Sequence, residues 1–242
     1  MEQADPIVNP TIFINSFEWR EPITTATDLL VALVCLIGFI KYANYKGSKS
    51  YSFNFYKYYF FTFGIGMVCG AWLGHGLQAY LGLEYKKIGW ALCLTANMFL
   101  ALASLQQLMG IISSKFFLSI KLLLFTNYLL FITIILIPDY SAFSYAQVGS
   151  AIILMGFILP VQLFLFIKTK EKGSLIIVCA VLYGIIPGFV YNNQISLHRW
   201  FNYNDISHVL IAFFVGLMIW GTSRQTMLFE HEKTGLVLNF WD

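Results

Sequence analysis

Residues 21–41 read EPITTATDLLVALVCLIGFIK, an apolar run broken by one carboxylate, Asp28. A helix needs about 20 such residues to cross the hydrocarbon core of a bilayer. Extended to residues 23–43, this stretch has that length. Working outward, the same pattern recurs at 56–80, 87–110, 116–137, 146–167, 174–192 and 204–222. A soluble domain carries about 25% charged residues. Here 11% of 242 residues are charged and 58% are hydrophobic, and mean hydropathy is +0.70. The deficit runs over the whole length, so the chain reads as an all-α, polytopic, integral membrane protein. Short connections predict one seven-transmembrane helix bundle with consecutive helices antiparallel. Residues 1–242 form its single domain, with 1–22 as an outer N-terminal segment and 223–242 as a solvated cytoplasmic tail.

Lys and Arg set the orientation. Lys41, Lys46, Lys49, Lys57, Lys115, Lys121, Lys168, Lys170, Lys172, Arg224 and Lys233 gather on one side, against Arg20, Lys86, Lys87 and Arg199 on the other. The N-terminus is therefore expected outside and the C-terminus in the cytoplasm. No basic segment with a short apolar core opens the chain, so no cleaved signal peptide is expected. Glu2, Asp5, Glu18 and Glu21 read as an acidic pre-helical segment. Cys35, Cys69, Cys93 and Cys179 lie apart in apolar runs and read as buried thiols, not as a disulfide framework. Low cysteine use and short loops suit a bacterial inner membrane. The aromatic stretch Tyr51–Phe63 reads as an interfacial anchor. Pro160 and Pro187 predict kinks; Gly184 and Gly188 predict close helix approach. A net charge of +3 gives no basis for a nucleic-acid partner. Membrane lipids are the expected partners.

Four polar groups stand out within the spans: Asp28, His75, Asp205 and His208. On the predicted topology all four fall at the outer end, at similar depth. Ionisable groups at membrane depth are costly and mark functional sites. Asn204 and His208 are four apart, and Asp205 and His208 three apart, so either pair shares a helix face. Two histidines and a carboxylate with an open fourth position make a zinc set able to activate water. Each residue also has a plainer reading. Asp205, Asn204 or Asn202 can cap the seventh helix, and Asp28 can cap a shorter first one. His75 can be a hydrogen-bonded core histidine, and His208 an interfacial one. His198 lies in the last outer loop within reach of the site; His231 lies on the opposite side. Asn97, Asn127 and Gln162 read as interhelical hydrogen-bonding groups, with a polar pocket as the alternative.

On these residues the chain resembles the seven-transmembrane superfamily of alkaline ceramidases, adiponectin-type receptors and Per1 proteins. EPITTATDLL resembles the family's first-span opening, with Glu21 and Thr27-Asp28 in register. GAWLGHGL resembles its second-span segment, with His75 at the metal position. NDISHVL resembles the opening of its seventh span, with His208 at the second metal-histidine position. The likeness covers the whole topology, through short motifs. It implies a bound zinc ion and hydrolysis of a lipid amide such as a ceramide. The chain departs from the pattern at Ala71, where a Ser is expected, and at Asn204, where a His is expected. No Asp after His75 fits; Glu84 is the nearest acid.

The expected function is a zinc-dependent membrane hydrolase acting on a lipid amide or ester. His75, His208, Asn204 and Asp205 are its candidate metal ligands, with Asp205 and Asp28 as catalytic carboxylates. The alternative is a non-catalytic seven-transmembrane protein that binds or senses a lipid-like ligand in the same pocket. A transporter is a third reading, against which no pair of broken helices stands in corresponding halves. A retinal protein is excluded by the lack of Lys in 204–222.

Overall fold

A computed structural model describes residues 10–45, 51–137 and 143–233. Among the described residues, the regular structure is helical but for a short hairpin. Strand β1 (Thr11–Ile14) pairs antiparallel with β2 (Phe17–Arg20), Thr11 opposite Arg20 and Ile14 opposite Phe17. Asn15 turns the chain with φ 56°, a backbone region that Asn tolerates. The acidic segment expected before the first helix takes the form of this hairpin over 11–20. Glu2 and Asp5 lie outside the described residues.

The helices are α1 (Pro22–Ala43), α2 (Tyr51–Cys69), α3 (Gln78–Leu81), α4 (Lys86–Gln106), α5 (Ser114–Leu136), α6 (Phe143–Ala151), α7 (Leu159–Thr169), α8 (Lys172–Tyr183), α9 (Ile185–Asn192) and α10 (Tyr203–Lys233). A π-helix, Gly70–Gly76, continues α2, and a second, Ile152–Ile158, joins α6 to α7. Pro22 starts α1, where its missing N–H costs nothing. Glu171 caps α8 by accepting hydrogen bonds from the N–H groups of Gly173 and Ser174. Among the described residues, six helical segments are long and apolar enough to cross a membrane: 22–43, 83–106, 114–136, 143–169, 172–192 and 203–225.

Packing closes these rods into a ring. α1 lies between α2 and α10, α2 packs on α4, and α4 meets the second π-helix and α7. α7 packs on α8, and α8 on α10. α5 sits outside the ring on α4 and α6. Val31, Cys35, Tyr59, Leu94, Leu100, Val215 and Met218 fill the interior. The expected kinks coincide with irregular backbone on the N-terminal side of each proline, the side its ring crowds. The second π-helix precedes Pro160, and the chain breaks between α8 and α9 ahead of Pro187. At Gly184 a Cβ would touch Phe214 at 3.5 Å, whereas at Gly188 it would meet open space. Only the first of these glycines serves close approach.

Other expectations need correction. The Tyr51–Phe63 stretch is not mainly an interfacial anchor, because Phe53, Tyr56, Tyr59 and Phe60 are buried against the bundle. Cys179 is exposed and only Cys35 is fully buried. The tail from 223 begins as a continuation of α10, with Gln225 buried, and is not a solvated segment there. His231's side chain, Lys46, Lys49 and residues 234–242 lie outside the side chains or residues described.

At the end of the bundle remote from the hairpin, glutamines knit the helices together. Gln225 Oε1 accepts from Tyr56 Oη at 2.6 Å and from Gln107 Nε2 at 3.0 Å. Its Nε2 donates to Gln162 Oε1 at 2.5 Å and Ser174 Oγ at 2.7 Å. Gln162 Nε2 donates on to Ser104 Oγ at 3.0 Å. Gln162 is therefore an interhelical hydrogen-bonding group, the first of its two expected readings.

Candidate functional site

The hairpin end holds the ionisable residues. The sequence Gly70-Ala-Trp-Leu-Gly-His-Gly76 forms the first π-helix, closed by a hydrogen bond from Leu77 N–H to Trp72 O at 2.8 Å. π-turns inside α-helices recur at functional sites because they re-aim a side chain. Here the turn directs His75 toward α1. Its Nδ1–H donates to Glu21 Oε2, and its Nε2 lies 3.7 Å from Asp28 Oδ2. On the far side of Asp28, His208 Nδ1 lies 3.1 Å from Oδ1, with Thr27 Oγ1 3.3 Å from the same nitrogen. The order is Glu21, His75, Asp28, His208, spread over α1, the π-helix and α10. Both carboxylates are buried, each 2% exposed.

Local sequence explains the placement. Glu21 precedes α1 in the left-handed region at φ 46°, and its N–H donates to Pro10 O at 2.8 Å. This turn aims the side chain back over the helix start at His75. Lys86, the first residue of α4, comes within 3.9 Å of Glu21 Oε2. Burial works against charge on Glu21, but the His75 hydrogen bond and the charges of His75 and Lys86 prevail. Its carboxyl is held below the usual 4.5. Seven residues on, Asp28 sits on the same helix face and meets Gly70. A Cβ at Gly70 would come within 3.2 Å of Asp28 Oδ2, so the glycine leaves room for the carboxylate. That oxygen is buried and makes no hydrogen bond.

The hairpin roofs this cluster. Trp19 stacks on Trp72 at 5.9 Å between centroids, and Phe17 on Tyr80 at 5.5 Å. Trp19 Nε1–H donates to Thr25 Oγ1 at 3.3 Å, and Glu18 N–H to Tyr80 Oη at 2.8 Å. A Cβ at Gly76 would lie 3.3 Å from Trp72 and 3.4 Å from Trp19, so the glycine lets both rings sit close over the π-helix.

Of the residues singled out from sequence, Asp28, His75 and His208 come together. Asp205 is buried beside them but is engaged at the start of α10. Its Oδ2 accepts the Asn202 N–H at 2.7 Å, while Asn202 Oδ1 accepts the Asn204 N–H at 2.8 Å. These two bonds satisfy free N–H groups at the start of the helix. Both capping readings, of Asp205 and of Asn202, therefore hold. The other Asp205 oxygen, Oδ1, is buried near Thr24. Asn204 contributes its backbone N–H to the cap. His198 turns away, accepting from Trp200 N–H at 3.2 Å. Glu84 is surface-exposed and pairs with Lys87. Ala71 is buried, and its carbonyl accepts from Thr25 Oγ1 at 3.3 Å. Lys86 is a site residue not chosen from sequence. Glu21 was marked there by its register with Thr27-Asp28, two helical turns before Asp28 on one face, but was given no role.

Among the described residues, no three His, Cys, Asp or Glu side chains are drawn together as a ready-made metal cage. A zinc ligand set of His75, His208, Asn204 and Asp205 is therefore not assembled. The two imidazoles flank the Asp28 carboxylate, whose Oδ2 is buried without a hydrogen bond, and Glu21 fixes the remote nitrogen of His75.

A family model described as a family of unknown function (DUF6962) matches residues 23–227. No curated protein and no solved structure matches the chain.

Proposed function

The chain belongs to the DUF6962 family, and we propose that it is a membrane hydrolase cleaving a lipid amide or ester at the hairpin end of the bundle. The observation that carries this reading is the convergence of Glu21, His75, Asp28 and His208, from three separate elements, in one buried cluster. A fold that only had to span a bilayer would avoid such groups. In this proposal α2 and its π-helix supply a seventh span, and the Lys/Arg bias puts the cluster on the outer face. The protein is then multi-pass, and the bacterial inner membrane remains the proposed setting.

Hydrolysis adds a water oxygen to the carbonyl carbon and breaks the C–N or C–O bond. The proton lost by the water passes to Asp205 Oδ1 and on to the leaving amine or alkoxide. Glu21 keeps His75 in the tautomer whose Nε2 faces Asp28. The hairpin and its paired aromatics limit bulk water at the reacting bond.

The test is fatty-acid release by purified protein from N-acyl and ester lipids, read by mass spectrometry. Wild type should release fatty acid, and His75→Ala and Asp205→Asn should each lose about 10²-fold or more, as expected for acid–base groups. No release across the panel, or release indifferent to both substitutions, ends the hydrolase reading. A second reading is a lipid-binding or sensory protein using the same pocket, and the unassembled metal cage favours it. It requires lipid binding without turnover.

A further inference from the structure

We propose that the cluster binds a primary ammonium group, carried by a lipid headgroup or a free amine, between His75 Nε2 and Asp28 Oδ2. As a binding site this rests on geometry alone; as a feature of the substrate it rests on the hydrolase reading above. A mismatch of hydrogen-bonding roles carries it. His75 gives its Nδ1–H to Glu21, which leaves Nε2 of the neutral ring with only a lone pair. That lone pair faces Asp28 Oδ2 across 3.7 Å. The oxygen is buried and makes no hydrogen bond, and an ionised carboxylate can only accept. Two buried acceptors set against each other are costly unless a group with two hydrogens serves both. A nitrogen about 2.8–2.9 Å from each atom does so. Gly70 leaves space beside the oxygen, which a Cβ would crowd at 3.2 Å.

Charge selects an ammonium over a neutral donor. Glu21 Oε2 has Lys86 Nζ at 3.9 Å. Asp205 lies in the first turn of α10 and accepts the Asn202 N–H, at the end of a helix that favours an anion. Asp28 is left with the two imidazoles as its ion-pair partners among the described residues. With both rings neutral, one monovalent cation completes the cluster. Hard metal ions take oxygen ligands, whereas an ammonium serves nitrogen and oxygen acceptors alike.

Access selects a small headgroup. The Asp28 side chain is 3% exposed, but those of His75, His208 and Lys86 are 13%, 17% and 18% exposed. The rings therefore meet the surface with the carboxylate behind them. A trimethylammonium group has no N–H to give and is held instead by open aromatic faces. Trp19 and Trp72 are stacked on each other.

The experiment is the melting temperature of detergent-purified protein at neutral pH with n-dodecylamine, dodecyltrimethylammonium, dodecanol or ethylamine added. Dodecylamine should raise wild type by about 5 °C at a hundredfold excess over its dissociation constant. The trimethylammonium and the alcohol of the same chain length should leave it unchanged. A rise with ethylamine as well means that a free amine suffices, and a rise with dodecylamine alone means a lipid headgroup; both keep the site. Asp28→Asn removes the charge and Gly70→Ala fills the space, so each should abolish the rise while still melting cooperatively, and either variant that folds decides the question. An equal rise with the trimethylammonium overturns the proposal. So does an undiminished rise in a folded variant, or no rise with either amine. No hydrolysis enters these melts. A protein that binds the amine but cleaves no lipid loses the hydrolase reading and keeps this site; one that cleaves lipid without an amine effect does the reverse.

Discussion

Glu21 is the residue on which the site turns. A non-glycine residue in the left-handed region costs about 1–2 kcal/mol, and Glu21 holds φ 46° while buried against His75. Backbone strain of this kind persists where surrounding contacts over-determine it, often at functional sites. The Pro10 carbonyl, the His75 ring and Lys86 are those contacts. Because its carboxyl titrates below 4.5 in the folded protein, the unfolded chain takes up the proton first as pH falls. The stability Glu21 contributes is therefore full above about pH 5 and is lost as pH drops through the folded value. Melting temperatures of wild type and Glu21→Gln, measured from pH 7 to 3.5, should differ most at neutral pH and converge toward the acid end. A gap that stays constant with pH would mean that the Glu21 charge does not stabilise the fold.

Among the elements, α10 binds the two ends of the molecule together. Its start carries the Asn202 and Asp205 caps and, a turn on, His208, and its last described buried residue, Gln225, holds Tyr56, Gln107, Gln162 and Ser174. α8 can approach only because Gly173 faces Gly221, where a Cβ on Gly173 would sit 2.6 Å from the Gly221 carbonyl. Removing Gln225 strands several buried partners, each costing about 1–3 kcal/mol by general experience, though interhelical bonds in membranes average nearer 0.6. Gln225→Ala should therefore lower the melting temperature by several degrees while leaving fatty-acid release by the folded protein unchanged. A loss of release together with stability would show that the two polar layers are coupled. Sequence reading ended the last span at 222 and missed this layer. Hydropathy treats Gln225 as a surface residue, and only the glycine contact with α8 buries it. The hairpin was missed for a different reason. Its strands are four residues each, too short to outweigh the charges of Glu18 and Arg20. Asn15-Ser16 between Ile-Phe-Ile and Phe-Glu-Trp is nonetheless a readable turn signal. The convergence of Asp28, His75 and His208 was legible, because single ionisable residues in apolar runs have few plain explanations. Asp205's capping and Glu21's reach depend on backbone geometry that composition does not carry.

For the whole molecule, the open question of topology concerns α2. Six helical segments meet the length and polarity of a span by themselves. The segment 51–76 is richer in tyrosine and glycine, yet it packs along α1 and α4 as a member of the ring. Ser16 precedes α1 at the hairpin turn, and Ser113 follows α4; both are exposed. If α2 crosses the bilayer, three spans separate these serines and they face opposite sides. If it does not, two spans separate them and they share a side. Intact cells carrying Ser16→Cys or Ser113→Cys can be labelled with a membrane-impermeant thiol reagent. Labelling of Ser16→Cys alone, with Ser113→Cys reacting only after permeabilisation, is the expected result. It would also put Lys115, Lys168, Lys170 and Lys172 on the inner side, as the positive-inside bias requires. Labelling of both in intact cells would remove α2 from the spans. His75, at the end of its π-helix, would then no longer have a membrane depth in common with Asp28 and His208. Burial within the protein alone would then set the cluster apart.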